Sequence, residues 1–300
     1  VMGPGREPLR RQELPADPRL RLLRVEGETG WNLCRAYNFA IAQARHRWIL
    51  KLDADCWPAS RFDPARLLGP PQGGLDAGLR CWFGSGPDGR KGQFLCPREL
   101  LQAVGGFHEL LLGYGFDDKD LQARLQLHSG HPPLAIPADW LDLIVHGDEE
   151  RAGQDRARVP SGLEAARGQA AMRASRLANR LVAAHCPWGP QRSASRYRQD
   201  GEHRWWVEPD TVPLPPPAVA AELEHVRRMT FWGAFLAIPE VHLEALPYSL
   251  FPPARAGQWP VRRWHRLWWH SGRRLLGLPV GLLVALQGLL SARRRRGALP

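Results

Sequence analysis

The alternation of apolar and polar positions predicts short strands and helices in the first half of the chain. A short strand is expected over residues 19–26, and apolar residues recur at helical spacing over 31–45. The segment 47–52 is mostly apolar and predicts a buried strand that ends before Asp53. A strand, a helix and a second strand in this order are typical of an α/β sheet.

Four further elements extend this pattern towards residue 146. We predict strands over 93–96 and 142–146, and helices over 97–104 and 117–127. The predicted fold class is therefore α/β, with a mixed sheet flanked by helices.

The second half of the chain has a different character. An Ala- and Arg-rich helix is expected over 163–184, followed by a proline-rich linker over 213–217. Eight of the 13 tryptophans lie from Trp188 onward. We therefore predict a core domain over 1–160 and a helical, Trp- and Arg-rich region over 161–300.

The composition excludes a disordered or fibrous chain, because 44% of the residues are hydrophobic and 24% are charged. The five cysteines lie far apart without a Cys-x-x-Cys pair, which predicts neither a disulfide framework nor a thiolate zinc site. The formal net charge of +11 comes almost entirely from arginine. A solvated helix face explains the arginine-rich segment 165–180, so we expect no nucleic acid among the partners.

The C-terminal end combines an apolar run with basic residues. Residues 275–292 are mostly apolar, and four arginines follow them. About 18 apolar residues are at the lower limit for a membrane-spanning helix. We expect this helix to lie on the membrane surface, with a buried helix as the alternative. The expected location is cytoplasmic, peripheral on the inner face of the plasma membrane.

Asp53 and Asp55 follow the predicted strand 47–52. Ligands of open α/β sheets bind at the carboxyl ends of the strands. In extended chain, residues i and i+2 point to the same side, so both carboxylates would face one place. Neighbouring acids repel each other unless a cation lies between them, and a divalent cation that also binds phosphate is the natural partner. Alone the pair is a weak signal, because it also occurs in turns and caps.

Three acidic residues, Asp117, Asp118 and Asp120, lie at the start of the predicted helix 117–127, after a glycine-rich segment. Capping of the helix dipole is worth about 0.3–1 kcal/mol per acid and needs only one of them. Three acids repel one another, which should raise the pKa of at least one. A carboxylate set apart from a metal-bound diphosphate is what general-base activation of a hydroxyl requires.

His146 ends the predicted strand 142–146. A histidine at a strand end is most often only a polar residue, but neutral imidazole is also a good ligand for ions of the Mn²⁺ type. Its assignment as a ligand depends on the two acidic motifs.

Three segments together resemble the family 2 glycosyltransferases, which have the GT-A fold. The donor-site half of those enzymes is similar to residues 31–58, WNLCRAYNFAIAQARHRWILKLDADCWP. Their acceptor-site segment, shared with the galactosyltransferase C-terminal domain, resembles residues 92–125, GQFLCPRELLQAVGGFHELLLGYGFDDKDLQARL. Residues 143–146, LIVH, are similar to the galactosyltransferase strand that ends in a metal-binding histidine.

The resemblance implies a GT-A-like core and roles for particular residues. Asp55 would bind Mn²⁺ or Mg²⁺ directly, Asp53 would hold the ribose or the water shell of the metal, and His146 would complete the coordination. Asp118 would be the catalytic base, and Asp117 would bind hydroxyls of the acceptor sugar.

Other positions either match the family or depart from it. Arg35 and Asn38 match helix residues near the nucleotide diphosphate. Asp117 replaces the usual Glu, and Leu112 and Tyr114 stand where Trp is common. The first strand–helix unit of the GT-A fold has no counterpart, so we expect an N-terminally truncated core.

The function implied is inverting, metal-dependent transfer of a hexose in polysaccharide biosynthesis. The donor would be a nucleotide sugar, with UDP the expected nucleotide, and the acceptor a hydroxyl of a glycan or a lipid-linked molecule. The alternative is a catalytically degenerate, membrane-associated remnant that acts as an interaction protein. An aspartate phosphatase agrees less well, because Cys56 and Trp57 follow the acidic pair where Thr or Val is expected.

Overall fold

The computed structural model describes residues 11–68, 80–86, 90–145, 162–192 and 194–217, with the single positions 220, 275, 279, 282 and 286. The protein is a mixed α/β fold, with mixed sheets flanked by helices, as predicted. It divides into two units along the chain. The first comprises Val1–Gly113, Asp117–Ile144 and Trp188–Leu214, and the second Tyr114–Phe116, Val145–Pro187 and Pro215–Pro300.

Nine strands and five α-helices of defined length occur among the described residues, besides short 3-10 turns. The strands are β1 (Arg24–Glu26), β2 (Trp48–Lys51), β3 (Cys56–Pro58), β4 (Trp82–Gly84), β5 (Phe94–Pro97), β6 (Leu134–Ile136), β7 (Leu141–Leu143), β8 (Tyr197–Gln199) and β9 (Arg204–Val207). The helices are α1 (Leu33–Ala42), α2 (Pro64–Leu68), α3 (Arg98–Ala103), α4 (Asp117–Ser129) and α5 (Gly162–His185). The predicted elements are therefore present with different bounds: β1 covers only three of the eight residues expected over 19–26, while α4 and α5 are each two residues longer than expected.

The central sheet of the first unit has the strand order β2-β5-β4-β6. Strand β5 is antiparallel to β2 and β4, and β4 is parallel to β6. All four residues of β5 are buried, because both faces of the sheet are covered. Strand β2, predicted to be buried, is only half-buried because it is an edge strand of this sheet.

One face of the sheet packs against the two-stranded ribbon β3–β7. Leu95 and Trp82 on this face form a core cluster with Cys56, Ile136 and Leu141. Aromatic rings cover the other face, where Phe94 packs against Phe107 with ring centroids 6.0 Å apart. Successive side chains of β5 point to opposite faces of the sheet, so they contact the ribbon β3–β7 and the aromatic layer in turn.

Helix α1 begins at a regular N-cap. The side chain of Asn32 accepts a hydrogen bond from the backbone N–H of Arg35, and its amide donates to the carbonyl of Glu109. Tyr37 of this helix lies 4.9 Å from Phe107, ring centroid to ring centroid. The hydroxyl of Tyr37 also donates to Asp53, which places this helix beside the end of β2.

A second sheet of the first unit has the order β1-β9-β8. Strand β9 pairs in parallel with β1, Val25 opposite Trp205. Segment Trp188–Leu214 therefore belongs to the first unit, and the predicted boundary at residue 160 does not separate the two units. Pairing between strands about 180 residues apart leaves no trace in local periodicity, so the sequence pattern could not show it.

The second unit contains helix α5, whose buried described positions are alanines, Val182 and one polar residue, Asn179. Asn179 of this helix donates to the carbonyl oxygen of Gly115 at 2.8 Å, and the Ser175 hydroxyl accepts from the N–H of Tyr114. Phe116 has a φ of 77°, which is uncommon for a residue other than glycine. These contacts hold the Tyr114–Phe116 segment in its turn.

All five cysteines are buried free thiols. No helix among the described residues combines the length and the apolar character needed to cross a membrane. The predicted membrane-associated segment 275–292 lies outside the described residues apart from four single positions. Its contact with a membrane stays a prediction.

Candidate functional site

The candidate site lies where β2 ends and the chain turns towards β3. Asp53 O accepts a hydrogen bond of 3.0 Å from the N–H of Cys56, so residues 53–56 form a β-turn. The extended geometry predicted for Asp53 and Asp55 is therefore wrong. The turn forms because Cys56 begins strand β3, which pairs with β7 rather than continuing the direction of β2.

Asp53 is held by three side chains. Its Oδ1 accepts from the hydroxyl of Tyr37 and from Nζ of Lys51, each at 2.8 Å, and its Oδ2 accepts from Nε2 of Gln93 at 2.7 Å. Burial raises the pKa of Asp53, but the Lys51 charge and these hydrogen bonds outweigh it and lower that pKa overall. Asp53 is thus a well-positioned carboxylate that stays ionised.

The start of β5 provides the wall opposite Asp53. Gln93 Oε1 accepts from the backbone N–H of Asp53 at 2.7 Å, so the Gln93 amide contacts both the backbone and the carboxylate of this residue. A Cβ added to Gly92 would lie 3.0 Å from Oδ2 of Asp118 and 3.4 Å from Oδ2 of Asp53. The two carboxylates therefore approach one point, and the absence of a side chain at Gly92 leaves room for them.

Asp118 reaches this point from the N-terminus of α4, where Asp117 precedes it. Burial, and then the charge of Asp117, raise the pKa of Asp118 to about 7, and Asp53 adds to the rise. Burial also raises the pKa of Asp117. Oδ1 of Asp118 is buried and has no hydrogen-bond partner among the described residues. The prediction that at least one of these acids has a raised pKa is confirmed, with burial as the largest cause and the neighbouring acid Asp117 as the second.

Asp120, the third acid of α4, serves the fold. Its Oδ2 accepts from Nε and Nη2 of Arg124 at 2.9 and 2.7 Å, and both side chains are buried. Nη1 of Arg124 donates to the carbonyls of Val104 and Gly106 at 2.7 Å each. The pair ties α4 to the turn after α3 and is not available to a ligand.

Strand β7, which overlaps the predicted strand 142–146, lies beside the turn of residues 53–56. Cys56 pairs with Leu143, and the N–H of Ile144 donates to the carbonyl oxygen of Asp55 at 2.9 Å. His146, two residues further, lies outside the described residues. Asp55 itself is half-buried in the turn. The structure therefore places the Asp55 backbone next to the end of the predicted histidine strand, while the ligand role of His146 stays a prediction.

The two predicted diphosphate contacts on α1 have partners within the protein. Arg35 is buried and pairs with Glu28, with 2.5 Å between Nη2 and Oε2. Asn38 donates to the carbonyl of Phe107 and to Oε1 of Glu109, and its Oδ1 accepts from the N–H of Phe107. The Arg35 pair joins α1 to the loop before it, and the Asn38 contacts hold the loop before α4. Both residues therefore have a structural explanation, and their diphosphate contacts stay predictions.

Sequence patterns did not single out four contributors to the site: Tyr37, Lys51, Gln93 and Gly92. Lys51 had a usable signal, since it lies two residues before Asp53 and strand geometry places both on one face. The other three reach Asp53 only through the pairing of β2 with β5 and the packing of α1. No local spacing could have found them.

The carboxylates present suit Mg²⁺ or Mn²⁺. Both ions prefer oxygen donors, which Asp53 and the predicted ligand Asp55 offer from the turn of residues 53–56. Among the described residues, no three His, Cys, Asp or Glu side chains form a ready metal cluster. Mg²⁺ is commonly bound by one or two carboxylates together with water and substrate phosphates, so two carboxylates are compatible with such a site.

No protein-family model matches this chain, and no curated protein or solved structure matches it either. The arrangement of residues around Asp53 is therefore what supports a function.

Proposed function

We propose that the protein is an inverting, metal-dependent glycosyltransferase that uses a nucleotide-sugar donor. One observation carries the proposal: Asp53 and Asp118, 65 residues apart in the chain, bring carboxylate oxygens to one point beside Gly92. Their protonation differs, because the pKa of Asp53 is lowered and that of Asp118 is raised to about 7. Carboxylates with opposite pKa shifts are suited to different tasks in one reaction.

Asp53 suits the charge-binding task. Its ionised carboxylate is held by Tyr37, Lys51 and Gln93, and so it cannot turn away when a cation approaches. Asp53 would hold the metal ion with Asp55 and the predicted ligand His146. When bound, the ion supplies Lewis-acid stabilisation of the negative charge on the departing diphosphate.

Asp118 suits the proton-accepting task. A general base works best with a pKa near the operating pH, which is where burial and Asp117 place Asp118. Its buried Oδ1, unpartnered among the described residues, is the atom that would accept the proton of an acceptor hydroxyl. The acceptor oxygen then bonds to the anomeric carbon as the bond to the diphosphate breaks. Asp117, adjacent on α4, would hold a neighbouring hydroxyl of the acceptor.

The direct test is sugar transfer by the purified full chain. A panel of UDP-sugars is offered with a mixture of glycan and lipid-linked acceptors, and release of UDP is measured with Mn²⁺, with Mg²⁺ and with EDTA. We expect EDTA to abolish transfer and either ion to restore it. Full activity after chelation would remove the metal from the mechanism.

A substitution tests the assignment of Asp118 as the general base. Asp118→Asn should lower transfer by about 10²–10⁴-fold while UDP binding survives, because the base acts on the acceptor. Asp139→Asn is the matched control, since Asp139 is exposed and pairs only on the surface with Arg61. Unchanged transfer by the Asp118 variant would refute the assignment.

A degenerate remnant of such an enzyme is the second candidate, and the Lys51–Asp53 ion pair favours it. An ammonium already neutralises the carboxylate that the metal would need. Calorimetric titration with UDP separates the two candidates, because a remnant should show no binding that depends on Mn²⁺. On either proposal, membrane contact through residues 275–292 is a prediction from sequence only.

A further inference from the structure

Lys51 is an ammonium group enclosed by the candidate site. Its side chain is 9% exposed, and Nζ lies 2.8 Å from Oδ1 of Asp53. Nζ also donates to the carbonyl oxygen of Gly92 at 2.8 Å and lies 4.7 Å from the ring centroid of Tyr37. Two hydrogen bonds and a cation–π contact therefore hold the charge in one place.

The charges around Lys51 are not balanced. Its positive charge lowers the pKa of Asp53 and opposes the rise at Asp117 and Asp118. When all three carboxylates are ionised, one ammonium leaves these four groups with a net charge of −2. A divalent cation would neutralise that charge, but it would have to approach Asp53 beside an ammonium that already occupies Oδ1.

We propose that Lys51 is a positioning residue that competes with a divalent cation for Asp53 and favours binding of the ion together with a diphosphate. This inference rests on the proposed function. Like charges repel, so Lys51 weakens binding of the free ion. A diphosphate brings negative charge, and the ammonium then becomes an attractive partner, as lysine is a common point-charge binder of phosphate. The ion and the donor therefore bind as a pair.

The test uses Lys51→Gln, because the amide can still donate to the Gly92 carbonyl while the charge is lost. Calorimetry measures two affinities: Mn²⁺ alone, and UDP at saturating Mn²⁺. We expect Mn²⁺ alone to bind roughly tenfold or more tightly than to the wild type, since even in water a unit charge about 4 Å from a divalent ion is worth that factor. UDP should bind roughly tenfold more weakly.

Lys91→Gln is the matched control. Lys91 is exposed and adjacent to Gly92, so the variant removes the same charge without touching Asp53. We expect its Mn²⁺ affinity to change less than about threefold, because exposed charges are screened by salt. If the affinity for Mn²⁺ rose equally in both variants, the gain would come from the lower positive charge of the protein and not from contact with Asp53. That result would overturn the proposal.

Different results would contradict the role of Lys51 and the proposed function. Mn²⁺ binding that is no tighter in Lys51→Gln than in the wild type refutes the competition, whatever the transfer assay shows. A wild type that binds no Mn²⁺ even in the presence of UDP refutes metal-dependent transfer, and Lys51→Gln must then still gain binding of Mn²⁺ alone. If Lys51→Gln does not fold, Lys51→Met replaces it. The melting temperature of Lys51→Met should rise more with Mn²⁺ than that of the wild type, and an equal or smaller rise overturns the proposal.

Discussion

Replacing Asp118 by Asn should stabilise the protein at alkaline pH, although it removes the proposed base. The pKa of Asp118 is about 7 in the folded protein, against an ordinary value of 3.8. Between these values the folded state binds a proton that the unfolded state has lost. The free energy of unfolding must therefore fall as the pH rises from about 4 to about 7.

The magnitude follows from the two pKa values. Their difference of about 3, at about 1.4 kcal/mol for each pKa unit, sets an upper limit of about 4 kcal/mol. Asp118 is partly exposed, and water screens its charge, so we expect about 1–2 kcal/mol. For a protein of this size that corresponds to a rise of about 2–6 °C in melting temperature.

The assay is urea denaturation followed by tryptophan fluorescence at pH 4.5, 6, 7 and 8, with EDTA present. Asp118→Asn should be more stable than the wild type at pH 8 and equal to it near pH 4. Asp139→Asn, which removes an exposed carboxylate, should follow the wild type throughout. A variant less stable than the wild type at pH 8 would refute the electrostatic reasoning, since the buried carboxylate would then be stabilising.

Three other substitutions distinguish residues of the proposed site from residues that stabilise the fold. Gly92→Ala places a methyl group 3.4 Å from Oδ2 of Asp53, beside the carboxylate proposed to hold the metal. UDP binding with Mn²⁺, measured by calorimetry, should therefore weaken at least about tenfold, while stability falls by only about 1 kcal/mol. Unchanged binding would contradict the geometry. Arg124→Met leaves Asp120 buried without its ion pair, so urea denaturation should show a loss of about 3–5 kcal/mol. A loss below about 1 kcal/mol would mean that the pair is dispensable. The Glu109 carboxylate accepts hydrogen bonds from Asn38 and Ser195, and in Glu109→Gln an amide N–H would face one of these donors. The free energy of unfolding should fall by about 1–3 kcal/mol. The melting temperature should therefore be lower, with no change in UDP affinity.

Local sequence determined most of the elements and singled out the carboxylates of the candidate site. The spacing of apolar residues over 31–45 sufficed for α1, and the acidic start of α4 identified Asp117 and Asp118. These signals are visible because helix periodicity and dipole capping act between residues close in the chain. The ion pair of Asp120 with Arg124 has the same local origin, since four residues bring side chains onto one helix face.

Tertiary structure decided what each carboxylate does. Asp53 meets Gln93 and Gly92 only because β2 pairs with β5, and it meets Tyr37 only because α1 packs beside the end of that strand. The turn at Asp53 likewise depends on the pairing of β3 with β7. A pKa depends on burial and on neighbouring charges, and both are set by contacts between residues distant in the chain. The sequence therefore determined which ionisable groups are present, and the packing of strands and helices decided which of them stays charged and which can take up a proton.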